Sequence, residues 1–161
     1  MRGTRRLAAA GAFILALSGG ATVATTQSAS AGGWGCTGTE VSGSPFPETN
    51  FYVNSPIYGY IHIYYDASTG YNCAVNVKTG SGYGVPTDTE IELQECAQDV
   101  PGTCTVINDQ WDPPVNSTAL YTYYAGPVRV YGKGHCISYY GLAFAPDGTY
   151  GMAGNAQGTH C

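Results

Sequence analysis

"YGYIHIYYDASTGYNCAVNVK", residues 58–78, is the stretch that decides the fold. Two runs of alternating residues flank Asp66, Ala67, Ser68, Thr69 and Gly70, a segment of turn formers, and that pattern is the signature of a β-hairpin. In the first run Ile61, Ile63 and Tyr65 share one face, while Tyr58, Tyr60, His62 and Tyr64 share the other. In the second, Cys73, Val75 and Val77 alternate with Asn72, Asn76 and Lys78. The simplest reading joins the aliphatic residues into one apolar face and leaves a wet face rich in tyrosine.

The same period recurs outward from the hairpin. Over 87–96, Thr89, Ile91 and Leu93 alternate with Glu90, Glu92 and Gln94, with residues 103–110 as the expected partner strand. A proline-rich stretch, WDPPVNS at 111–117, then breaks the pattern. Residues 120–124, 128–131 and 136–142 predict three more strands, with turns expected at Gly126-Pro127 and at Gly132-Lys133-Gly134. The segment 146–161 is glycine-rich and weakly patterned. No stretch of ten or more residues beyond the N-terminal segment keeps helical spacing free of Gly or Pro. Seven to nine short strands with frequent turns predict an all-β domain, a small antiparallel β-sandwich or barrel-like fold stapled by disulfides.

The N-terminal segment reads as an export signal. Arg2, Arg5 and Arg6 precede an apolar run from Ala12 to Leu17, and Ser28-Ala29-Ser30-Ala31 is a small-residue cleavage context. The apolar run is shorter than the roughly 20 residues a membrane span needs. Thr4-Arg5-Arg6-Leu7 resembles a twin-arginine signal but lacks the apolar and lysine positions that should follow. Residues 1–31 are therefore expected to be a secretory signal peptide and 32–161 a single disulfide-stabilised β domain. Past residue 31 only Lys78, Arg129 and Lys133 stand against all eleven carboxylates, a formal charge of −8 where the full chain has −5. That balance excludes nucleic acid as an expected partner and disfavours anionic lipid, because both need a field of Lys and Arg.

Six cysteines in an exported chain predict three disulfides, and sequence alone allows fifteen pairings. Cys96 and Cys104 bracket AQDVPGT, whose Pro-Gly turn suits a local clip. For the other four, the expected arrangement joins the two ends of the domain, Cys36 to Cys161, and two mid-chain strands, Cys73 to Cys136.

Catalytic chemistry has little to draw on. His62 lies on the tyrosine face, and His135 and His160 each adjoin a cysteine. No Gly-x-Ser-x-Gly elbow is present. Asp88, Glu90 and Glu92 could supply paired carboxylates for glycoside cleavage, but their alternation with Thr89 and Ile91 reads as a solvated strand face. Oxidised cysteines leave no zinc set, and no EF-hand loop occurs. No catalytic residue, metal or cofactor is expected. The Cys96–Cys104 loop could present a rigid peptide to a protease, although Gln98, Asp99 and Val100 carry no clear specificity residue.

Tyrosine is the real surplus, fourteen in all. Tyr58, Tyr60 and Tyr64, extended by Tyr121, Tyr123, Tyr139 and Tyr140, form the candidate binding surface, since planar aromatic faces suit sugars and adhesive contacts. Exposed β-strands also favour tyrosine for its own strand propensity.

Several blocks carry a resemblance: Gly35-Cys36-Thr37-Gly38, "IYYDASTGYNCAVNVKTG" at 63–80, "YAGPVRVYGKGHCISYYG" at 124–141, and His160-Cys161. Together they resemble the spore-associated protein A family of secreted actinomycete proteins. Cys36, Cys73, Cys136 and Cys161 fall where that pattern expects them, whereas Cys96, Cys104 and WDPPVNS look like additions, and Tyr139-Tyr140 stands where a tryptophan is expected. The resemblance implies secretion and attachment to spores or aerial structures, with spore or cell-wall components as partners. It implies no catalytic activity.

Overall fold

A computed structural model describes residues 32–161. The expected signal peptide, residues 1–31, lies outside the described residues. Among these, ten strands and one three-residue 3-10 turn, Gly80–Gly82, make up the regular structure. The strands are β1 (Thr39–Glu40), β2 (Phe46–Glu48), β3 (Gly59–Asp66), β4 (Tyr71–Lys78) and β5 (Thr87–Cys96), then β6 (Val106–Asp112), β7 (Leu120–Tyr121), β8 (Tyr124–Tyr131), β9 (Ile137–Phe144) and β10 (Tyr150–Thr159). They form two antiparallel sheets. One has the order β1-β3-β4-β8 with β2 also on β3, and the other β10-β9-β5-β6 with β7 also on β5. We call them the first and second sheets. Ile61, Ile63, Ala74, Val128 and Val130 of the first pack against Ile91, Leu93, Ile137 and Tyr139 of the second, so the domain is a sandwich with its apolar core between the sheets.

The hairpin at 58–78 forms as expected, but its faces combine differently. Asp66 closes the turn opposite Tyr71, leaving a four-residue loop, and that register sets Ile61 opposite Asn76 and Ile63 opposite Ala74. Directly opposed residues share a face, so Asn72, Asn76 and Lys78 join Ile61 and Ile63 on the inner side. Val75 and Cys73 lie outside with His62 and Tyr64. A loop one residue longer or shorter would have produced the expected all-aliphatic face. Asp66 fixes the loop length, with its side chain accepting from Ser68 N at 2.9 Å and its carbonyl accepting from Gly70 N at 2.7 Å. Gly70, at φ 79°, closes the turn in the left-handed region.

Of the polar residues turned inward, Lys78 spends all its donors and Asn76 is bonded through its amide nitrogen, whereas Asn72 Nδ2 is buried with no partner among the described residues. Asn76 Nδ2 donates to Glu48 Oε1 at 2.7 Å and to the carbonyls of Glu90 (2.9 Å) and Leu142 (3.1 Å), tying the two sheets together. Lys78 Nζ donates to the Val85 and Tyr121 carbonyls at 2.6 and 2.8 Å and to Thr87 Oγ1. Glu48, on β2, is fully buried, and burial pushes its carboxyl up to about 9, opposed by the Asn76 bond. It fills the space that side chains on Gly59 and Gly141 would need, which explains glycine at both positions. Glu48 Oε2 and Asn76 Oδ1 have no donor among the described residues. Burial favours the neutral carboxyl, whose hydroxyl is a donor that the ionised form lacks.

Elsewhere β5 spans the expected 87–96, and its partner β6 begins three residues later than predicted. Gly126-Pro127 is not a turn. It sits inside β8, where the register against β4 shifts between Ala74 and Asn76, and Gly126 N donates to Asp112 Oδ2 across the bulge. The weakly patterned 146–161 contains the ten-residue strand β10, which pairs along β9 from Tyr150 to Asn155. Its glycines hid the alternation.

Two of the expected disulfides are corrected. The bridges are Cys36–Cys73, Cys96–Cys104 and Cys136–Cys161, with no free cysteine. Only the local clip at Cys96–Cys104 was foreseen. Cys73 points to the outer face of the first sheet, beside Tyr64 and Val75, so it meets Cys36 and not Cys136.

Candidate functional site

The outer face of the first sheet, where sequence places Tyr60, His62 and Tyr64, is partly occupied. Residues 33–36 lie over part of it, ahead of β1, which pairs with β3 at the sheet edge. Trp34 lies on His62 with ring centroids 4.5 Å apart, Glu40 Oε1 is 2.7 Å from His62 Nδ1, and Cys36 is bonded to Cys73. Tyr64 is buried beneath this cover, with Gly33 as a backbone hydrogen-bond partner. Tyr60 is half-buried, opposite Val77 and Pro47.

The remaining tyrosines do not extend that face. Tyr58 is buried with Ala143 and Ala145, and Asn50 Nδ2 lies 3.4 Å from its hydroxyl. Tyr139 is in the core, stacked on Phe46 at 4.7 Å. Tyr121 donates its hydroxyl to Asp112, and burial and that carboxylate both hold its proton on. Tyr123 is exposed and packs on Tyr83 at 5.1 Å. The seven candidates therefore fall in different places, and of them only Tyr140 and the neighbouring Tyr139 line an open groove.

That groove lies on the outer face of the second sheet. Register sets Trp111, Glu92, Tyr140 and Gly154 side by side across β6, β5, β9 and β10. Gln94 and Asp109 form the neighbouring row, and Glu90, Leu142 and Met152 the row on the other side. Gly154 leaves bare backbone at the β10 end of the row, and the groove measures about 670 Å³. Two half-buried rings, Trp111 and Tyr140, flank a carboxyl and an amide: Glu92 accepts from Gln94 Nε2, and Trp111 Nε1 donates to Asp109 Oδ2 at 2.8 Å. Burial pushes the Glu92 carboxyl up, Gln94 pulls it back, and the charge of Asp109 adds to the rise. Aromatic faces beside a planar polar pair provide what a sugar ring needs, an apolar platform for its C–H face and partners for its hydroxyls.

Sequence reasoning missed Trp111, read there only as the start of a proline-rich break. Carrying the alternation of β6 two residues further would have put Trp111 on the face of Asp109. Glu92, read as solvated, is only 7 % exposed.

The histidines stay apart. His62 pairs with Glu40, His135 Nδ1 lies 3.0 Å from the Cys96 carbonyl, and His160 sits 6.2 Å from the Phe46 ring. Among the described residues no group of His, Cys, Asp or Glu is placed to hold a metal ion. No helix among them is long and apolar enough to cross a membrane. The Cys96–Cys104 loop is tied to the body: Gln98 bonds Thr105 through both side-chain ends, its carbonyl accepts from Cys136 N, and Gly102 N donates to Gln157 O. Three disulfides fit an oxidising, extracellular environment. No family model, no curated protein and no solved structure matches the chain.

Proposed function

We propose that this chain is a secreted, non-enzymatic binding module that holds a surface glycan of the cell wall or spore in the groove on the outer face of the second sheet. The observation that carries the reading is the pair of rings, Trp111 and Tyr140, set either side of Glu92 in an uncovered groove. Stacking of this kind contributes about 1 kcal/mol or more per ring beyond area burial. The attachment to spores rests on the sequence blocks at 63–80 and 124–141. A non-enzymatic role is favoured because the histidines are separated and engaged by other partners.

Retention on insoluble chitin and on purified cell wall tests the reading. The protein is expected to sediment with at least one of them, and Trp111→Ala or Tyr140→Ala to release it while Tyr60→Ala does not. A protein that stays in the supernatant with every glycan overturns the proposal. Washed spores that carry none of the protein would remove the spore attachment.

A further inference from the structure

Charge narrows the ligand. Glu92 lines the groove, with Glu90 and Asp109 in the adjoining rows of the same face. No cation shares that face among the described residues. Lys78 is inside the sandwich, Arg129 donates to the Gly35 carbonyl beside the first sheet, and Lys133 is in the turn between β8 and β9. The field over the groove is therefore negative throughout, and it repels phosphate-, sulfate- or uronate-bearing polymers.

The groove also continues beyond its centre. Met152 lines both it and a second depression of about 420 Å³, bounded by Asn50, Tyr52 and Tyr150. Thr49 pairs with Met152, N to O at 3.3 and 3.0 Å, which brings the 50–52 loop alongside β10. Tyr150 packs tilted against Phe144 with ring centroids 5.0 Å apart, and Tyr52 is 80 % exposed, so the aromatic track runs on from Tyr140 toward the loop. A single sugar would leave most of this track empty.

Resting on the glycan reading above, we infer that the groove takes a linear polysaccharide bearing free amines, with an ammonium set against Glu92 and the chain running over Met152 to Tyr52. A charge-assisted hydrogen bond to a carboxylate in a partly desolvated groove would separate this ligand from its N-acetylated form, whose amide is neutral. The aromatic track would then reward chain length.

Titration calorimetry at mildly acidic pH with glucosamine hexamer, N-acetylglucosamine hexamer and glucosamine dimer tests this. The amine hexamer is expected to bind about tenfold tighter than its N-acetylated counterpart, an advantage that shrinks with added salt. Glu92→Gln should bring the two hexamers to within about twofold of each other, with an unchanged melting temperature reporting that the groove is still folded. Tyr52→Ala should weaken the hexamer severalfold and leave the dimer unchanged. Equal or tighter binding of the N-acetylated hexamer, or equal affinity for dimer and hexamer, overturns this inference and leaves the glycan reading standing. Absence of binding to all three, together with no retention on chitin or cell wall, overturns both.

Discussion

The two outer faces of the sandwich are made from similar residues and have opposite fates. The first sheet carries Tyr60, His62 and Tyr64, and the second Trp111, Glu92 and Tyr140. Over the first, Trp34 and Cys36 are drawn down by a disulfide and a ring contact, so its aromatics act as packing. Over the second nothing among the described residues is laid, and its aromatics stand around an open groove. Aromatic density on a strand therefore does not mark a binding face; what decides is whether another part of the chain covers it.

The largest expected effect comes from stripping the cover. Replacing Cys36 and Cys73 together by Ala removes a bridge across 37 residues and should cost about 4 kcal/mol of stability in urea unfolding. Glycan retention on the other face should persist wherever the protein remains folded. Should the double variant lose less than about 1 kcal/mol, the covered face would not be held as described.

Between the faces, Glu48 makes stability depend on pH. Its carboxyl is raised to about 9 in the fold and is ordinary in the unfolded chain, so the folded state binds the proton more tightly. The contribution is complete below the unfolded value near 4.5, declines across the interval up to about 9, and is absent above it. The slope from this one group reaches at most about 1.4 kcal/mol per pH unit. Glu90 and Glu92, raised chiefly by burial, act in the same direction. Melting temperature should fall from pH 5 to pH 9, and Glu48→Gln, which keeps the shape without the titration, should flatten the profile. A wild-type profile that rises over this range would contradict a neutral Glu48.

Smaller effects separate the two faces directly. Trp34→Ala loses the ring over His62 but keeps the disulfide, and should cost about 1–2 kcal/mol in thermal or urea unfolding. Trp111→Ala on the open face should change stability by about 0.5 kcal/mol or less while abolishing glycan retention. If Trp111→Ala destabilised more than Trp34→Ala, the contrast between a packed face and a binding face would be reversed.

Much of the fold was legible because alternation is a local signal. The hairpin at 58–78, the strand at 87–96 and the clip at Cys96–Cys104 all appear where the residues place them. What was hidden depends on pairing between distant segments. The inward turn of Asn72, Asn76 and Lys78 follows from a loop length and from partners at Glu48, Glu90 and Thr87, none of which the alternation of β4 contains. Cys73 could not be paired without knowing which face it occupies. Strand β10 was masked by Gly151, Gly154 and Gly158, which sit where Glu48, Tyr139 and Thr103 approach too closely for a side chain. At the candidate site, Tyr140 was named from composition, but Trp111 and Glu92 join it only through the β6-β5-β9 register.

The disulfide map has a mechanical consequence. Cys36–Cys73 belongs to the first sheet, and Cys96–Cys104 and Cys136–Cys161 to the second, so no covalent link between side chains joins the two layers. Cohesion between them rests on the aliphatic core, on the bonds of Asn76 and Lys78 across the gap, and on the chain connections. A tether that anchored the first sheet while a polymer pulled on the second would load that seam in shear, and the molecule would part there with every disulfide intact.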